Sequence, residues 1–216
     1  MECREVGRLD LRRVRAYIGL GANLGDADGA LARGIRGLAA LPGARLRAVS
    51  RLYATEPVGV VDQPPFRNAV AALDVPAGRD AATGATALVI ALKQLERAFG
   101  RQDRERWGPR ELDLDLLVFG RALLSIDRPP KGLSLDPGKA DLLLVVPHRD
   151  AADRLFVLAP LADLAAGLVP PGWPETVASA AARRRIVEGA AAARPIAAWD
   201  PATSAWAAIS PRPTSG

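Results

Sequence analysis

Hydrophobic and polar positions recur in blocks along the chain, and the period of each block predicts its backbone. Val14 to Leu20 is an apolar run that predicts a first strand, ending in the turn Gly19-Leu20-Gly21-Ala22-Asn23-Leu24-Gly25-Asp26. Asp26 is suited to cap the next helix, because a short carboxylate can accept from the first free N–H groups. Gly29 to Leu41 carries Leu31, Ile35 and Leu38 at helical spacing and stops at Pro42-Gly43. Leu46 to Tyr53 predicts one strand, and a further strand begins near Phe66 and runs through Leu73. The segment between them holds Pro57, Gly59, Pro64 and Pro65, which predicts a shaped loop. Asp80 is placed to cap a long helix whose stripe is Leu88, Leu92, Leu95 and Phe99, with Glu96 beside it and Gly100 at its close.

An arginine-rich loop, Arg101 to Arg110, leads into a run in which Leu112, Leu114 and Leu116 alternate with Asp113 and Asp115. Alternation of this kind reads as a strand with one buried face. Gly120 ends it. Residues 121–143, with Pro129-Pro130, Gly132 and Pro137-Gly138, read as an irregular excursion before a strand over Leu142 to Val146. Asp150 opens a short turn through Arg154, and Phe156 to Leu164 reads as a helical stretch broken by Pro160. Thr176 to Val187 predicts a helix, and from Ala190 the chain reads as a loosely ordered tail with Trp199 and Trp206. The order β-α-β-β-α-β-(insertion)-β-α implies an α+β sandwich with a mainly antiparallel sheet and its helices on one face. It divides the chain into a charged lead-in (1–12), a domain (13–169, with the insertion at about 121–143) and a Pro/Ala-rich C-terminal extension (170–216).

Composition narrows the function classes. A chain of 216 residues with 49% hydrophobic and 25% charged residues can bury a real core. The net charge is +5, but lysine occurs only at Lys93, Lys131 and Lys139, so where the arginines cluster says more than how many there are. Cys3 and His148 are the single cysteine and the single histidine, which excludes an intramolecular disulfide and a His/Cys zinc site. No apolar run reaches the ~18 residues of a spanning helix, and the charged N-terminus has no signal core. The expectation is a cytoplasmic protein with no membrane partner.

The chemistry concentrates around the aspartates. Residues two apart on a strand share a face and lie roughly 6–7 Å apart. Two carboxylates so placed repel unless a cation sits between them, and such hard oxygen donors suit Mg²⁺ with substrate phosphates completing its shell. Arg101, Arg104, Arg106 and Arg110 stand just upstream, where guanidinium forks can hold phosphate. A solvated strand face is the plain alternative for a bare D-x-D. The glycine turn at 19–26 lacks a glycine at position 24, so it is no dinucleotide fingerprint, and no P-loop occurs in the chain. That turn serves either as structure or as a place of close ligand approach. His148, at a strand end among arginines, is likewise open between a structural and a binding role.

Four separated segments resemble one family. They are Tyr17 to Gly25; Thr55-Glu56-Pro57-Val58-Gly59 with Asp62-Gln63-Pro64 and Phe66-Arg67-Asn68; Glu96 to Asp115, with Arg106-Trp107-Gly108-Pro109-Arg110-Glu111-Leu112-Asp113-Leu114-Asp115 the most specific part; and Val146-Pro147-His148 with Arg154 and Phe156. The chain resembles the 2-amino-4-hydroxy-6-hydroxymethyldihydropteridine pyrophosphokinases of folate biosynthesis. The resemblance implies a ferredoxin-like α+β fold and transfer of the β,γ-pyrophosphoryl group of ATP to 6-hydroxymethyl-7,8-dihydropterin, with release of AMP. It implies two Mg²⁺ ions on Asp113 and Asp115, with Arg101 and Arg110 beside them in catalysis. It places ATP against Lys93, Glu96, Arg101, Arg104, Arg110, Leu116, His148, Arg149 and Arg154. It places the pterin against Thr55, Glu56, Val58, Phe66, Asn68, Trp107, Asp113 and Phe156. No nucleic acid and no obligate protein partner are implied.

The match has departures. Asp103 stands where the family has a second arginine, with Arg104 one place late; Arg149 stands at an often aromatic position, and Phe66 where tyrosine is common. The stretch 121–143 is long for the family, and the C-terminal extension lies outside the match. Two other readings compete. One is a ferredoxin-like nucleic-acid module, for which 5% aromatics and the lack of a stacking motif give little support. The other is a catalytically impaired paralogue that binds pterin or ATP without turnover.

Overall fold

The computed structural model describes residues 12–56, 63–100, 110–128 and 142–209. Its sheet is built around β4 (Phe66–Pro76), which is apolar on both faces: Ala69, Ala71, Leu73 and Val75 enter one core and Val70 another. β1 (Arg13–Ala22) lies antiparallel to β4 over its whole length, from Arg13 opposite Pro76 to Ala22 opposite Arg67. β5 (Asp113–Phe119) pairs antiparallel with the far side of β1. On the other edge of β4 lie β2 (Arg45–Val49) and β3 (Leu52–Thr55). With α1 (Ala27–Ala39) and α2 (Ala81–Ala98) between strands, and β2 and β3 together filling one strand position beside β4, this is the βαββαβ order of a ferredoxin-like sandwich, as the resemblance implied. The predicted caps are in place: Asp26 accepts from the Gly29 N–H at 2.9 Å and Asp80 from the Thr83 N–H at 2.7 Å.

The expected single strand over Leu46 to Tyr53 is two strands. Ser50, which is buried, exchanges bonds with Val70: its N–H donates to the Val70 carbonyl and its hydroxyl oxygen accepts the Val70 N–H, both at 2.9 Å. A side chain thus takes over a ladder position, the strand jogs, and β3 is left free to pair on its other edge.

The helices are not confined to one face. α1 and α2 cover the face carrying Ile18, Leu20, Leu114 and Leu116, whereas α3 (Leu155–Ala165) and α4 (Val177–Glu188) pack over Val70, Leu117 and Val118. The alternation of β4 and β5 supplies apolar residues to both sides, so both sides demand cover. Pro160 does not break α3. A proline inside a helix costs roughly 3 kcal/mol, less than the gain from burying Leu155, Leu158 and Leu161 at roughly 1.5–3 kcal/mol each.

Within the 121–143 stretch, β6 (Leu124–Asp127) forms a two-stranded sheet with β7 (Leu142–Val146). The tail expected to be loose from Ala190 instead contributes β8 (Arg194–Asp200) and β9 (Ala205–Ala208) to the main sheet, giving the order β5-β1-β4-β3-β8-β9. The two tryptophans explain why. Trp199 and Trp206 meet edge to face at 5.1 Å, and Trp206 Nε1 donates to the Asp28 carbonyl at 3.0 Å, so the hairpin is fastened to α1.

Candidate active site

Cross-strand register decides which side chains meet. Asp113 lies opposite Gly21, Gly21 opposite Asn68, and Asn68 opposite Tyr53, so these four form one row across β5, β1, β4 and β3. Asp115 lies opposite Gly19. Directly opposed residues share a face, and this face is the one that α3 and α4 cover further along. The glycines matter here. A Cβ on Gly21 would come within 3.3 Å of Asn68 Oδ1, so glycine keeps the floor between Asp113 and Asn68 clear.

At one end of this row Asn68 Nδ2 donates to Thr55 Oγ1 at 2.7 Å, and both side chains are buried. Phe66, half-buried, sits opposite Thr55, and Glu56 is exposed just beyond it. At the other end Arg110 forms an ion pair with Asp113. Val58, Arg101, Arg104 and Trp107 lie outside the described residues, as does Asp103.

Behind the aspartates a cavity of about 450 Å³ gathers Lys93, Glu96, Asp115, Leu116, His148 and Arg149. Glu96 is 1% exposed, yet its Oε1 accepts both the Lys93 ammonium and the Leu114 N–H at 2.7 Å, which offsets the cost of burying its charge. The His148 N–H donates to the Leu117 carbonyl at 2.9 Å, fixing the end of β7 beside β5. Its Nδ1 accepts the Asp150 N–H at 3.3 Å, which leaves Nε2 as the donor nitrogen of the neutral ring. Arg154 is held by Asp150 at 2.6 Å and lies over the Phe156 ring at 5.7 Å. Neither Arg154 nor Phe156 lines that cavity, and the Thr55–Asn68 pair is likewise separate from it.

Some participants escaped the sequence reading. Asn23 is buried and knits three segments together: its N–H and Oδ1 engage the Arg110 carbonyl and N–H at 3.0 and 2.8 Å, while Nδ2 donates to Gln63 Oε1 and the Pro64 carbonyl at 2.9 and 3.1 Å. An amide inside the glycine turn, between Gly21 and Gly25, was the available signal. Arg128 and Val89 line the cavity without any local motif. Tyr53 is joined to Arg51 and Asp163 of α3. Burial, and then the Asp163 carboxylate, push the Tyr53 hydroxyl up to about 12.

The sheet thus sets two part-buried carboxylates between a buried amide–hydroxyl pair and a cationic cavity, on a ferredoxin-like α+β fold. Residues 17–166 match the family described as 7,8-dihydro-6-hydroxymethylpterin-pyrophosphokinase, and the chain belongs to that family, a pyrophosphokinase family of folate biosynthesis. It is 41% identical over 172 residues to the 2-amino-4-hydroxy-6-hydroxymethyldihydropteridine pyrophosphokinase of Methylorubrum extorquens, covering 78% of this chain and 92% of that one. It is 40% identical over 168 residues to the Pseudomonas aeruginosa protein of the same name, covering 76% and 91%. Among solved structures, wild-type Plasmodium falciparum HPPK-DHPS with pteroate aligns with a TM-score of 0.63 at 13% identity, over 92% of this chain and 48% of that one, a likeness of fold.

Proposed function

We propose that this enzyme moves the β,γ-pyrophosphoryl group of ATP to the hydroxymethyl oxygen of 6-hydroxymethyl-7,8-dihydropterin in the cytoplasm, releasing AMP. The observation that carries the reading is the position of Asp113 and Asp115, between the Thr55–Asn68 pair and the cavity lined by Lys93, His148 and Arg149. In the reaction the pterin oxygen bonds to the β-phosphorus, the bond from that phosphorus to the α-phosphate bridging oxygen breaks, and AMP keeps the electron pair. The hydroxyl proton passes to solvent.

Each part of the site has work suited to its chemistry. Asn68 gives one N–H to Thr55 and directs Oδ1 toward Gly21, an acceptor for the N–H edge of a pterin. Phe66 offers a flat apolar face for the ring. Arg110 and Arg154 offer guanidinium forks to phosphate oxygens, and His148 offers its Nε2–H. Asp113 and Asp115 fit Mg²⁺: both are hard oxygen donors on one strand face, and the residues opposite them, Gly21 and Gly19, bring no competing side chain. When bound, Mg²⁺ neutralises phosphate charge and makes the substrate alcohol more acidic.

The test is AMP release from ATP, Mg²⁺ and the pterin. Asp113→Ala and Asp115→Ala are each expected to lower turnover by about a hundredfold or more while the melting curve keeps its cooperativity. Wild-type protein that binds pterin and releases no AMP would leave an impaired pterin-binding paralogue as the better reading. Wild-type turnover in both variants would remove the metal assignment.

A further inference from the structure

The start of α3 carries two residues of the proposed site, Arg154 and Phe156, with Leu155 between them. Leu155 is fully buried, so its N–H has no access to water. Arg154, at the N-cap position, has only donors on its side chain and makes no capping bond there. The acceptor comes from elsewhere in the chain: Oε1 of Glu188, the last residue of α4, accepts the Leu155 N–H at 3.3 Å. The same oxygen accepts from Arg184 one turn earlier, at 2.9 Å from Nε and 2.7 Å from the terminal nitrogen, which holds the carboxylate in place. α4 is in turn seated on α3 through Val177, Ala180 and Ala181 against Leu158 and Leu161. All of α4 lies beyond residues 17–166, the part of the chain that matches the family.

We infer that Glu188 is a positioning residue of the active site: it supplies, from the C-terminal extension of the same chain, the cap that α3 cannot supply for itself, and so fixes Arg154 and Phe156 toward the substrates. The peptide plane between Arg154 and Leu155 is the one that Glu188 holds, and the departure of the Arg154 side chain toward Asp150 and Phe156 follows from that plane. An anionic acceptor at a helix N-terminus is also favoured by the helix dipole. Without it a buried N–H loses its partner, the first turn frays, and Arg154 samples positions away from phosphate. This inference rests on the proposed role of Arg154 in holding ATP.

A double-mutant cycle on the full chain tests it, with calorimetric titration of a non-hydrolysable ATP analogue and Mg²⁺ as the readout. Glu188→Ala is expected to weaken binding about fivefold, the loss typical of a helix cap. Glu188→Gln, whose amide oxygen still accepts, should stay within about twofold of wild type. In an Arg154→Ala background Glu188→Ala should change nothing further. Should Glu188→Ala not fold, Glu188→Asp, whose carboxylate lies one methylene further back and accepts only through a lengthened bond, should show a smaller loss with the same dependence on Arg154. Unchanged binding, or an equal loss with and without Arg154, overturns the inference, as would a drop in melting temperature with no change in affinity. Wild-type protein that fails to bind the analogue overturns it as well. Wild-type protein that binds the analogue and yet forms no AMP counts against the proposed reaction alone, because the cycle is read in binding.

Discussion

At the scale of single residues, charge and burial decide what each group can do. Asp113 and Asp115 differ from a solvated pair because of what faces them: glycine on the neighbouring strand, Arg110 on one side, and a cationic cavity on the other. Tyr53 shows the opposite case, a titratable group fixed in its neutral form. It is 2% exposed and hydrogen-bonded to Asp163, and its hydroxyl is raised from 10.0 to about 12. A folded value above the unfolded one means the folded state holds its proton longer. The resulting stability is complete below pH 10 and is lost as pH rises toward 12, an order-of-magnitude loss of about 2–3 kcal/mol. Melting curves between pH 9 and 12 should therefore fall more steeply for the wild type than for Tyr53→Phe. Parallel curves would mean that Tyr53 is not the titrating group.

At the scale of elements, local preference was overruled where a tertiary partner offered more. Ser50 interrupts what reads as one strand because its hydroxyl completes the ladder of β4 in place of a backbone group. α3 runs through Pro160 because three leucines on its buried face outweigh one missing bond. The β8–β9 hairpin forms in an alanine-rich stretch because Trp199 and Trp206 hold it against α1 and because β3 has an open edge. Trp206→Ala removes a half-buried ring and its bond to Asp28. It is expected to cost roughly 2 kcal/mol, measured by urea melting, with faster amide exchange along β8. Because β8 also pairs with β3, the strand ending at Thr55, the same variant should raise the KM for pterin more than that for ATP. A loss of stability with no exchange change in β8 would place the effect outside the hairpin.

At the scale of the whole molecule, the site exists because two layers cover the sheet unequally. The α3–α4 layer packs over Val70, Leu117 and Val118, while the row of Asp113, Gly21 and Asn68 lies further along the same face. Ligands that bind there stabilise the fold by mass action, about 2.7 kcal/mol at a hundred times Kd. An ATP analogue should therefore raise the melting temperature more with Mg²⁺ than with EDTA, and Asp115→Ala should abolish that difference. An equal rise under both conditions would mean that the nucleotide binds without the metal.

Periodicity and punctuation made the core legible. Leu114 and Leu116 set the buried face of β5, with Leu112 leading into it; Asp26 and Asp80 marked the helix starts, and the order of strands and helices implied an α+β sandwich, which the family resemblance narrowed to the ferredoxin-like fold. These signals survive in sequence because each depends on spacing within a single element. The motif around Asp113 and Asp115 identified the family because its residue types sit in one contiguous stretch. What tertiary structure alone decided involves partners far apart along the chain: Asn23 bridging Gln63 and Arg110, Tyr53 meeting Asp163, and Glu188 reaching Leu155. Which face α3 covers and which strand pairs with β8 belong to the same class, since no period within an element encodes what another element brings to it.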